Sequence, residues 1–455
     1  MIILFVFQRN RTEKRPWGIN TLNPHTLAMR RLLLPILFIV GFAQWSCTDR
    51  CTETRKYKRF TPVTISLAEI RQGVRTETAH ELETPGKIYA KGNYLFINEQ
   101  KKGLHIIDNS NPAAPKIISF ITIPGNGDMA VRGNVLYADS YSDLVALDIS
   151  NPLEVKEISR QKDVFPTGQF DGAWWSLNTT TGAIHDQNMH IVTETIQTNC
   201  ENSNGSWWGG TFFAMDSRSA SLQSSTVPSN SNAQGQAGSM ARFALYDKYL
   251  YTVSQSDMQL FDIGIPSQPK ASTKIRLGWG IETIFPYRDK LFIGSTTGMF
   301  IYDNSNPENP QHMSTFQHAM SCDPVVVTDN RAYVTLRSGT SCNRGLNQLD
   351  VIDITDLRTP RLLKSYPMQN PHGLGVDYPN LYLCEGTHGL KSLNIANDFD
   401  VKQLQHLKDM DAYDVIPLSN KTLLMIGKDG LYQFDVSNAS GLRQISKIPV
   451  KRVEI

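Results

Sequence analysis

The sequence repeats one short pattern, an apolar run that ends in an acidic or amide residue, at nearly constant spacing. Examples are LHIID, which ends at Asp108, and LVALD, which ends at Asp148. The seven end residues are Asp108, Asp148, Asp262, Asp303, Asp353, Asn394 and Asp435. Their successive spacings are 40, 114, 41, 50, 41 and 41 residues, which indicates a repeat of about 41 residues with insertions of about 73 and 9 residues.

Each repeat also contains an earlier apolar run with an aromatic residue or leucine near its centre, as in GNYLFI and DKYLYT. This residue precedes the end residue by 11 or 12 positions, and by 20 in the case of Tyr333. The seven residues are Phe96, Tyr137, Tyr251, Phe292, Tyr333, Tyr382 and Leu424. A shorter apolar run precedes each pair of runs and another follows it, which predicts four β-strands per repeat.

The end residue is followed by a turn signal, as in the string DISNP from Asp148 to Pro152. Aspartate and serine side chains bond to backbone groups just ahead of them, and Asn-Pro fixes the backbone and stops the strand. We therefore predict that this segment is the corner between the third and fourth strands. Its role is then architectural rather than chemical.

Four-stranded repeats arranged radially form a β-propeller, in which each sheet packs against its neighbours. Without the two insertions, residues 84–451 provide about 41 residues for each of seven units, which is a size typical of propeller blades. The sequence therefore predicts an all-β fold, a seven-bladed β-propeller of four-stranded antiparallel blades. A solenoid is the competing arrangement of such repeats.

The strings LVALDISNP, LDVIDITDLRTP and GLHIIDNSNPAAP resemble the LVIVD repeat, a propeller-type repeat of secreted proteins and lipoproteins of bacteria. The resemblance covers about residues 84–451. It implies a β-propeller in the bacterial cell envelope, and it brings no catalytic residues with it.

The string MRRLLLPILFIVGFAQWSC ends at Cys47 and has a basic start, about twelve apolar residues and a small residue before the cysteine. The apolar run is too short to span a bilayer, so residues 29–46 are predicted to be a signal peptide. The segment resembles a lipoprotein signal, although Gln44 and Trp45 depart from that motif. The resemblance implies a lipid on Cys47 that anchors an exported protein in the outer membrane, and an ordinary cleaved signal is the alternative.

Two flanking segments complete the predicted organisation. Residues 1–28 precede a second methionine and are interpreted as a disordered start-site extension. Residues 47–83 are interpreted as a linker that includes a candidate ring-closing strand.

The longer insertion, about residues 165–239, joins the second blade to the third and is expected on the top face of the propeller. It carries two tryptophan pairs, Trp174 with Trp175 and Trp207 with Trp208, and then a polar low-complexity run. Paired aromatic residues stack on sugars and other flat ligands, so the insertion is a candidate ligand platform. The alternative is that these tryptophans pack the insertion onto the propeller.

Counting ten residues back from each second-strand aromatic position reaches the start of the innermost strand, at the mouth of the central channel. Four consecutive blades have an ionisable residue there, and the second blade has one a single place away. The candidates are Glu282, Asp323, His372, Asp414 and Asp128, with His388 of the string EGTHGL on the same face. Such a ring can bind a cation or perform acid–base chemistry, and the alternative is a solvated tunnel mouth.

Four cysteines are predicted to share the top face, namely Cys200, Cys322, Cys342 and Cys384. Cysteines of an exported protein can pair, and we favour Cys322–Cys342 within one blade and Cys200–Cys384 between the insertion and the propeller. A metal site is the alternative, but no Cys-x-x-Cys spacing supports it. No motif requires a cofactor.

The net charge of +2, with 19% charged residues, gives no electrostatic footprint for nucleic-acid binding. The sequence also lacks nucleophile, phosphate-loop and zinc-protease motifs. We therefore predict a binding module that uses its top face and the insertion to hold an envelope protein or a glycan. A hydrolase or lyase that uses the channel-mouth residues is one alternative, and a structural anchor without a small ligand is another.

Overall fold

The computed structural model describes residues 50–170, 172–199, 236–239, 241–318, 324–337 and 346–451. The chain divides into two compact units, Met1–Arg55 with Thr193–Phe212 and Lys56–Val192 with Phe213–Ile455. In the first unit, the hydroxyl groups of Thr54 and Thr195 lie 3.5 Å apart. The sheets that carry the repeat belong to the second unit.

The described residues contain 34 strands and one short helix. The elements before the insertion are β1 (Arg50–Ser66), α1 (Leu67–Gln72), β2 (Arg75–Thr78), β3 (Pro85–Lys91), β4 (Tyr94–Glu99), β5 (Gly103–Asp108), β6 (Lys116–Thr122), β7 (Met129–Arg132), β8 (Val135–Ser140), β9 (Asp143–Asp148) and β10 (Lys156–Gln161). The strands of the insertion are β11 (Thr167–Phe170), β12 (Ala173–Asn178), β13 (Ala183–Asn199) and β14 (Gln236–Ala237). Among the described residues, no helix is long and apolar enough to cross a membrane.

The strands after the insertion fall into five groups of four. The first ten are β15 (Phe243–Tyr246), β16 (Tyr249–Val253), β17 (Asp257–Asp262), β18 (Lys270–Arg276), β19 (Ile281–Tyr287), β20 (Lys290–Ser295), β21 (Gly298–Asp303), β22 (Gln311–Gln317), β23 (Val325–Thr328) and β24 (Arg331–Leu336). The last ten are β25 (Gln348–Asp353), β26 (Arg361–Pro367), β27 (Leu374–Asp377), β28 (Asn380–Cys384), β29 (Leu390–Asn394), β30 (Lys402–Leu407), β31 (Ala412–Pro417), β32 (Thr422–Gly427), β33 (Gly430–Asp435) and β34 (Arg443–Pro449).

Within the described residues the strands form eight sheets, seven with four strands and one with six. Six sheets consist of four consecutive strands, and they begin at β7, β15, β19, β23, β27 and β31. The six-stranded sheet contains β3 to β6, with β14 added beside β3 and β2 added beside β6. The eighth sheet has the order β1-β13-β12-β11, so it combines the first strand with strands of the insertion.

The sheets of the repeat follow one another around a closed circuit. The strand β3 contacts β7, β7 contacts β15, and the contacts continue through β19, β23 and β27 to β31. The last sheet returns to the first, because β32 contacts β3 and the side-chain amides of Gln433 and Asn109 exchange hydrogen bonds of 2.6 and 3.1 Å. Leu82 also forms a parallel bridge with Val450. This arrangement is a β-propeller, in which each sheet packs between two neighbours.

The end residue of each third strand closes the corner that the sequence predicts. Asp148 Oδ1 accepts the backbone N–H of Ser150 at 2.9 Å, and Asp353 Oδ1 accepts that of Thr355 at 3.0 Å. All seven end residues make this bond to the residue two places ahead, at 2.8 to 3.1 Å. Each fourth strand then begins eight residues after the end residue. The prediction that this segment joins the third and fourth strands is confirmed.

The central residues of the second strands form the buried core, and each is at most 1% exposed. Some of them also reach the corner of the next sheet. The Tyr137 hydroxyl donates to the carbonyl oxygen of Pro266 at 2.8 Å, and the Tyr251 hydroxyl donates to that of Pro307 at 2.7 Å. The corner therefore connects neighbouring sheets as well as neighbouring strands.

The end of the insertion enters the space inside the circuit of sheets. Its strand β14 pairs with the inner edge of β3, where Gln236 lies opposite Ala90. Gln236 Nε2 donates to the carbonyl oxygen of Pro417 at 2.9 Å, and Ser239 Oγ accepts the N–H of Leu374 at 3.1 Å. This differs from the expectation that the whole insertion lies on the top face. The reason is that the open edge of β3 offers backbone groups for pairing.

Candidate functional site

A cleft, here called the top cleft, lies where strands β11 and β12 of the insertion meet the first strands of three repeat sheets. Its aromatic lining consists of Tyr141, Phe165, Phe170, Trp175 and Phe243. Its polar lining includes Lys87, Gln100, Asp128, Asp139, Gln169, Arg242, Ser254 and Gln255. The top cleft thus combines one of the predicted channel-mouth residues with one of the predicted tryptophans.

A buried ion pair forms one side of the top cleft. Lys87 Nζ donates to Asp128 Oδ2, and the two side chains are only 7% and 5% exposed. Asp128 Oδ2 also accepts the N–H of Arg242 at 2.6 Å, and Oδ1 accepts that of Met129 at 2.7 Å. Burial lowers the pKa of Lys87, and the negative charge of Asp128 opposes that effect. Asp128 therefore holds three chain segments together.

Asp139 lies next to this ion pair and is a candidate that sequence reasoning missed. Its Oδ1 accepts the N–H groups of Gly127 at 2.6 Å and Asp128 at 2.9 Å, and the side-chain amide of Asn126 at 3.0 Å. Burial raises the pKa of Asp139 to about 6, although the two backbone hydrogen bonds oppose the rise. A carboxyl group that titrates close to neutral pH and lines a cleft can exchange a proton with a ligand.

An exposed pair of tryptophans borders the top cleft. Trp174 on β12 stacks on Trp279 of the loop between β18 and β19, with ring centroids 6.1 Å apart and ring planes at 17°. The two residues are 40% and 67% exposed. Trp279 is flanked by Gly278 and Gly280, which have φ angles of 137° and 76° that favour glycine. The loop thereby presents an indole face to solvent.

Two glutamines connect the tryptophan pair to the top cleft. Gln255 Nε2 donates to Gln169 Oε1 at 3.4 Å, and both residues line the top cleft. Gln169 lies opposite Trp174 across β11 and β12. The carbonyl oxygen of Gln255 accepts the N–H of Ile281 at 3.1 Å, two residues after Trp279. The exposed indole rings therefore lie beside glutamine amides that also line the top cleft.

Trp175 has a different role from its neighbour Trp174. It is 5% exposed and meets the ring of Tyr141 edge to face at 5.5 Å. Leu67 and Ile70 of α1 belong to the same buried cluster. Trp175 thus packs the insertion onto the propeller, which is the alternative that the sequence left open, whereas Trp174 is exposed.

Two of the other predicted channel-mouth residues, His372 and Asp414, are buried. His372 lies 5.8 Å from the Tyr413 ring, and burial together with the positive charge of Arg337 lowers its pKa well below the usual value. Asp414 approaches the backbone so closely that a Cβ atom on Gly373 would lie 2.2 Å from its Oδ1. The glycines of NPHGLGV therefore permit a close approach, as their positions indicate.

The remaining candidates are dispersed or lie outside the described residues. Glu282 is half-buried on β19, and His388 is exposed on the turn between β28 and β29. In the part of the chain that the structure describes, no three His, Cys, Asp or Glu residues are placed to hold a metal ion. The candidates outside the described residues are Cys47, Cys200, Trp207, Trp208, Cys322, Asp323 and Cys342.

Cys384 is a buried, free thiol at the end of β28. Its burial raises its pKa, as do the negative charges of Asp414 and Glu385. The structure therefore does not contain the predicted Cys200–Cys384 disulfide, and Cys384 packs in the apolar core instead. The Cys322–Cys342 disulfide stays a prediction.

Weak signals for the two missed residues are present in the sequence. Asp139 is a charged residue inside the otherwise apolar second strand VLYADS, and Trp279 is a bulky residue between two glycines in GWG. Either pattern marks a departure from the repeat. The spacing of residues along the sequence gives no signal for the contact between Trp279 and Trp174.

This chain is similar in sequence to one repeat family and in structure to several solved proteins. A search of curated proteins finds no match. Similar structures include PorZ, an essential bacterial surface component of the type-IX secretion system of Porphyromonas gingivalis, at 11% identity and a TM-score of 0.44 over 84% of this chain. The match spans only 40% of the PorZ chain.

Two further similar structures match most of their own length. BamB from Moraxella catarrhalis is 11% identical, with a TM-score of 0.41 over 80% of this chain and 98% of its own. The periplasmic gluconolactonase PpgL of Pseudomonas aeruginosa is 10% identical, with a TM-score of 0.48 over 80% of this chain and 96% of its own. In sequence, the model of the LVIVD repeat matches residues 86–122 and 126–161. The resemblance predicted from the repeat strings is thereby confirmed for these two segments, each of which carries an LVIVD repeat.

Proposed function

We propose that this protein is a binding module that holds a saccharide on the face formed by Trp174 and Trp279, beside the top cleft. The observation that carries the proposal is the stacked, exposed tryptophan pair. Indole rings provide rigid apolar area for the flat face of a sugar ring, and glutamine amides both donate and accept hydrogen bonds. Gln169 and Gln255 supply such amides next to the pair.

The eight sheets of the described residues then have two roles. Seven of the eight sheets are blades, because each contains one of the seven corner residues at the end of its third strand. The eighth sheet, β1-β13-β12-β11, contains none and serves as an accessory sheet that brings Trp174 to the rim. A conserved scaffold with a binding surface on an irregular insertion is a common division of labour in proteins.

The proposed setting is the bacterial cell envelope. The signal-like segment before Cys47 supports export, and a lipid on Cys47 would hold the propeller at the outer membrane. An envelope glycan is then the natural ligand class. An envelope protein that inserts an aromatic or sugar-bearing segment is the competing partner.

Glycan-array binding of the exported chain, followed by titration of the best saccharide, tests this function. We expect Trp279→Ala to weaken binding about tenfold, which corresponds to about 1.4 kcal/mol of lost stacking. Phe399→Ala is the matched control, because Phe399 is also an exposed aromatic residue, at 61%, but lies in the corner between β29 and β30. The absence of any saccharide signal, or equal affinity of Trp279→Ala and wild type, would count against the proposal.

Asp139 supports a second candidate, a hydrolase or lyase that acts on the bound saccharide. Its carboxyl group, with a pKa of about 6, lines the same cleft. Asp139→Asn keeps an oxygen for the hydrogen bonds of the neighbouring loop but removes the titrating group. If the protein is an enzyme, wild type releases products from a bound saccharide, and Asp139→Asn binds that saccharide without turnover. Binding by wild type without any product leaves the binding module as the function.

A further inference from the structure

We propose that the sheet β27–β30 carries a second binding site, which recognises a tetrahedral oxyanion such as a phosphate or sulfate ester. The site is a groove of about 590 Å³, here called the basic groove. Its ionisable lining residues are His388, Lys391, His406 and Lys408. None of these residues lines the top cleft, so the inference does not depend on the saccharide proposal.

The charge of the basic groove is positive. All four ionisable lining residues are lysine or histidine, and Lys408 is exposed. Lys391 is 12% exposed, and its Nζ lies 2.8 Å from Oε2 of Glu385, which has no exposure. Glu385 Oε1 accepts the N–H of Gln369 at 2.9 Å. Glu385 therefore fixes the ammonium group of Lys391 without lining the groove, and Lys408 adds an exposed positive charge.

Backbone hydrogen bonds close the turn that carries His388. Glu385 N–H donates to the carbonyl oxygen of Gly389 at 2.7 Å, and His388 N–H donates to that of Glu385 at 3.0 Å. Gly389 has a φ of 93°, and a Cβ atom there would lie only 1.8 Å from the Leu407 carbonyl oxygen. This close approach brings β30 against the turn, where His406 Nε2 donates to the carbonyl oxygen of His388 at 2.6 Å.

The chemistry of the lining matches an anion with several acceptor oxygens. Lysine ammonium groups donate three hydrogen bonds each, and imidazole, hydroxyl and amide groups supply further donors. Thr387 provides a hydroxyl group and Gln369 provides an amide group beside the lysines. Charge-assisted hydrogen bonds to such oxygens are about twice as strong as neutral ones, and a preformed site loses little entropy on binding.

Calorimetric titration of the full chain with inorganic phosphate, and separately with inorganic sulfate, tests the proposal at one fixed ionic strength. We expect saturable binding of at least one anion, weakened about tenfold by the double change His388→Gln and Lys408→Gln. Both residues are exposed, so the variant retains its fold, and an unchanged thermal unfolding curve verifies this. The phosphate and sulfate arms then distinguish the two esters.

Lys402→Gln is the matched control, since Lys402 is an exposed lysine at the start of β30, the strand that Lys408 follows, but lies outside the basic groove. It should bind the anion as wild type does. Trp279→Ala should also leave anion binding unchanged, which separates this site from the saccharide face. The inference is overturned if neither anion gives saturable heat, or if Lys402→Gln weakens binding as much as the double change.

Discussion

Replacement of Glu99 by glutamine tests how a buried charge contributes to the stability of the propeller. Glu99 ends β4, and its side chain has no exposure. Its Oε1 accepts the N–H of Glu83 at 2.6 Å and lies 3.1 Å from His105 Nε2, while Oε2 lies 3.2 Å from Lys102 Nζ. Burial opposes ionisation, but the hydrogen bonds from His105 and Glu83 outweigh it and lower the pKa of Glu99 to about 2.

The contribution of Glu99 to stability follows from the difference between its pKa of about 2 in the folded protein and the ordinary pKa of 4.5. It corresponds to about 3 kcal/mol of folding free energy at pH 7. Because the folded state has the lower pKa, the stabilisation is fully present above pH 4.5 and is lost as the pH falls towards 2. Glu99→Gln removes the ionised carboxylate, so the variant should be about 3 kcal/mol less stable at pH 7. The gap between the two proteins should narrow from pH 4.5 downward.

Urea unfolding of wild type and variant at pH 7, 5 and 3 measures these differences. Asp435→Asn is the control, because hydrogen bonds from Ser437 and Arg443 also lower the pKa of Asp435 to about 2, but its side chain is 31% exposed. Solvent screens an exposed carboxylate, so the control should lose much less stability. A Glu99→Gln loss below 1 kcal/mol at pH 7, or a gap that stays constant between pH 5 and pH 3, would refute the reasoning.

Two further predictions concern buried polar groups, and both are measured by urea unfolding at pH 7. Lys87→Met leaves the carboxylate of Asp128 buried without its cation and should cost about 3–5 kcal/mol. Adding Asp128→Asn removes the unpaired charge and keeps one side-chain oxygen for the backbone N–H groups that Asp128 accepts, so it should restore part of the stability. Tyr251→Phe should cost about 1 kcal/mol through the lost bond to Pro307. Tyr382→Phe should cost nothing, because its buried hydroxyl has no hydrogen-bond partner among the described residues, and equal losses for the two tyrosines would contradict this account.

The repeat architecture is predictable from the sequence because its determinants are local. Each corner depends on a bond from an end residue, such as Asp108 or Asp435, to a backbone N–H only two positions ahead. The apolar runs on either side specify strands by composition alone. Such signals are complete within about ten residues, so the strand ends at all seven corners coincide with the predicted positions.

The candidate site is less predictable, because it arises from contacts between distant parts of the chain. Trp174 and Trp279 are separated by more than a hundred residues, and they meet only because β12 lies beside the loop that follows β18. The pKa of Asp139 depends on burial, which the spacing of residues does not specify. Periodicity identifies which residues occupy a strand, but it gives no information on which loops lie above them.

The strand β14 explains why two residues of the predicted ring, Asp414 and His372, are buried. In an empty channel, Asp414 and His372 would face water, yet they are 0% and 3% exposed. Gln236 and Ser239 reach the inner strands β31 and β27, so the chain itself occupies this space. In the proposed function, the ligand therefore approaches from the rim, where the insertion supplies Trp174 and the repeat supplies the loop of Trp279. If that proposal is correct, binding specificity depends on the insertion, and the repeat provides the frame that positions it.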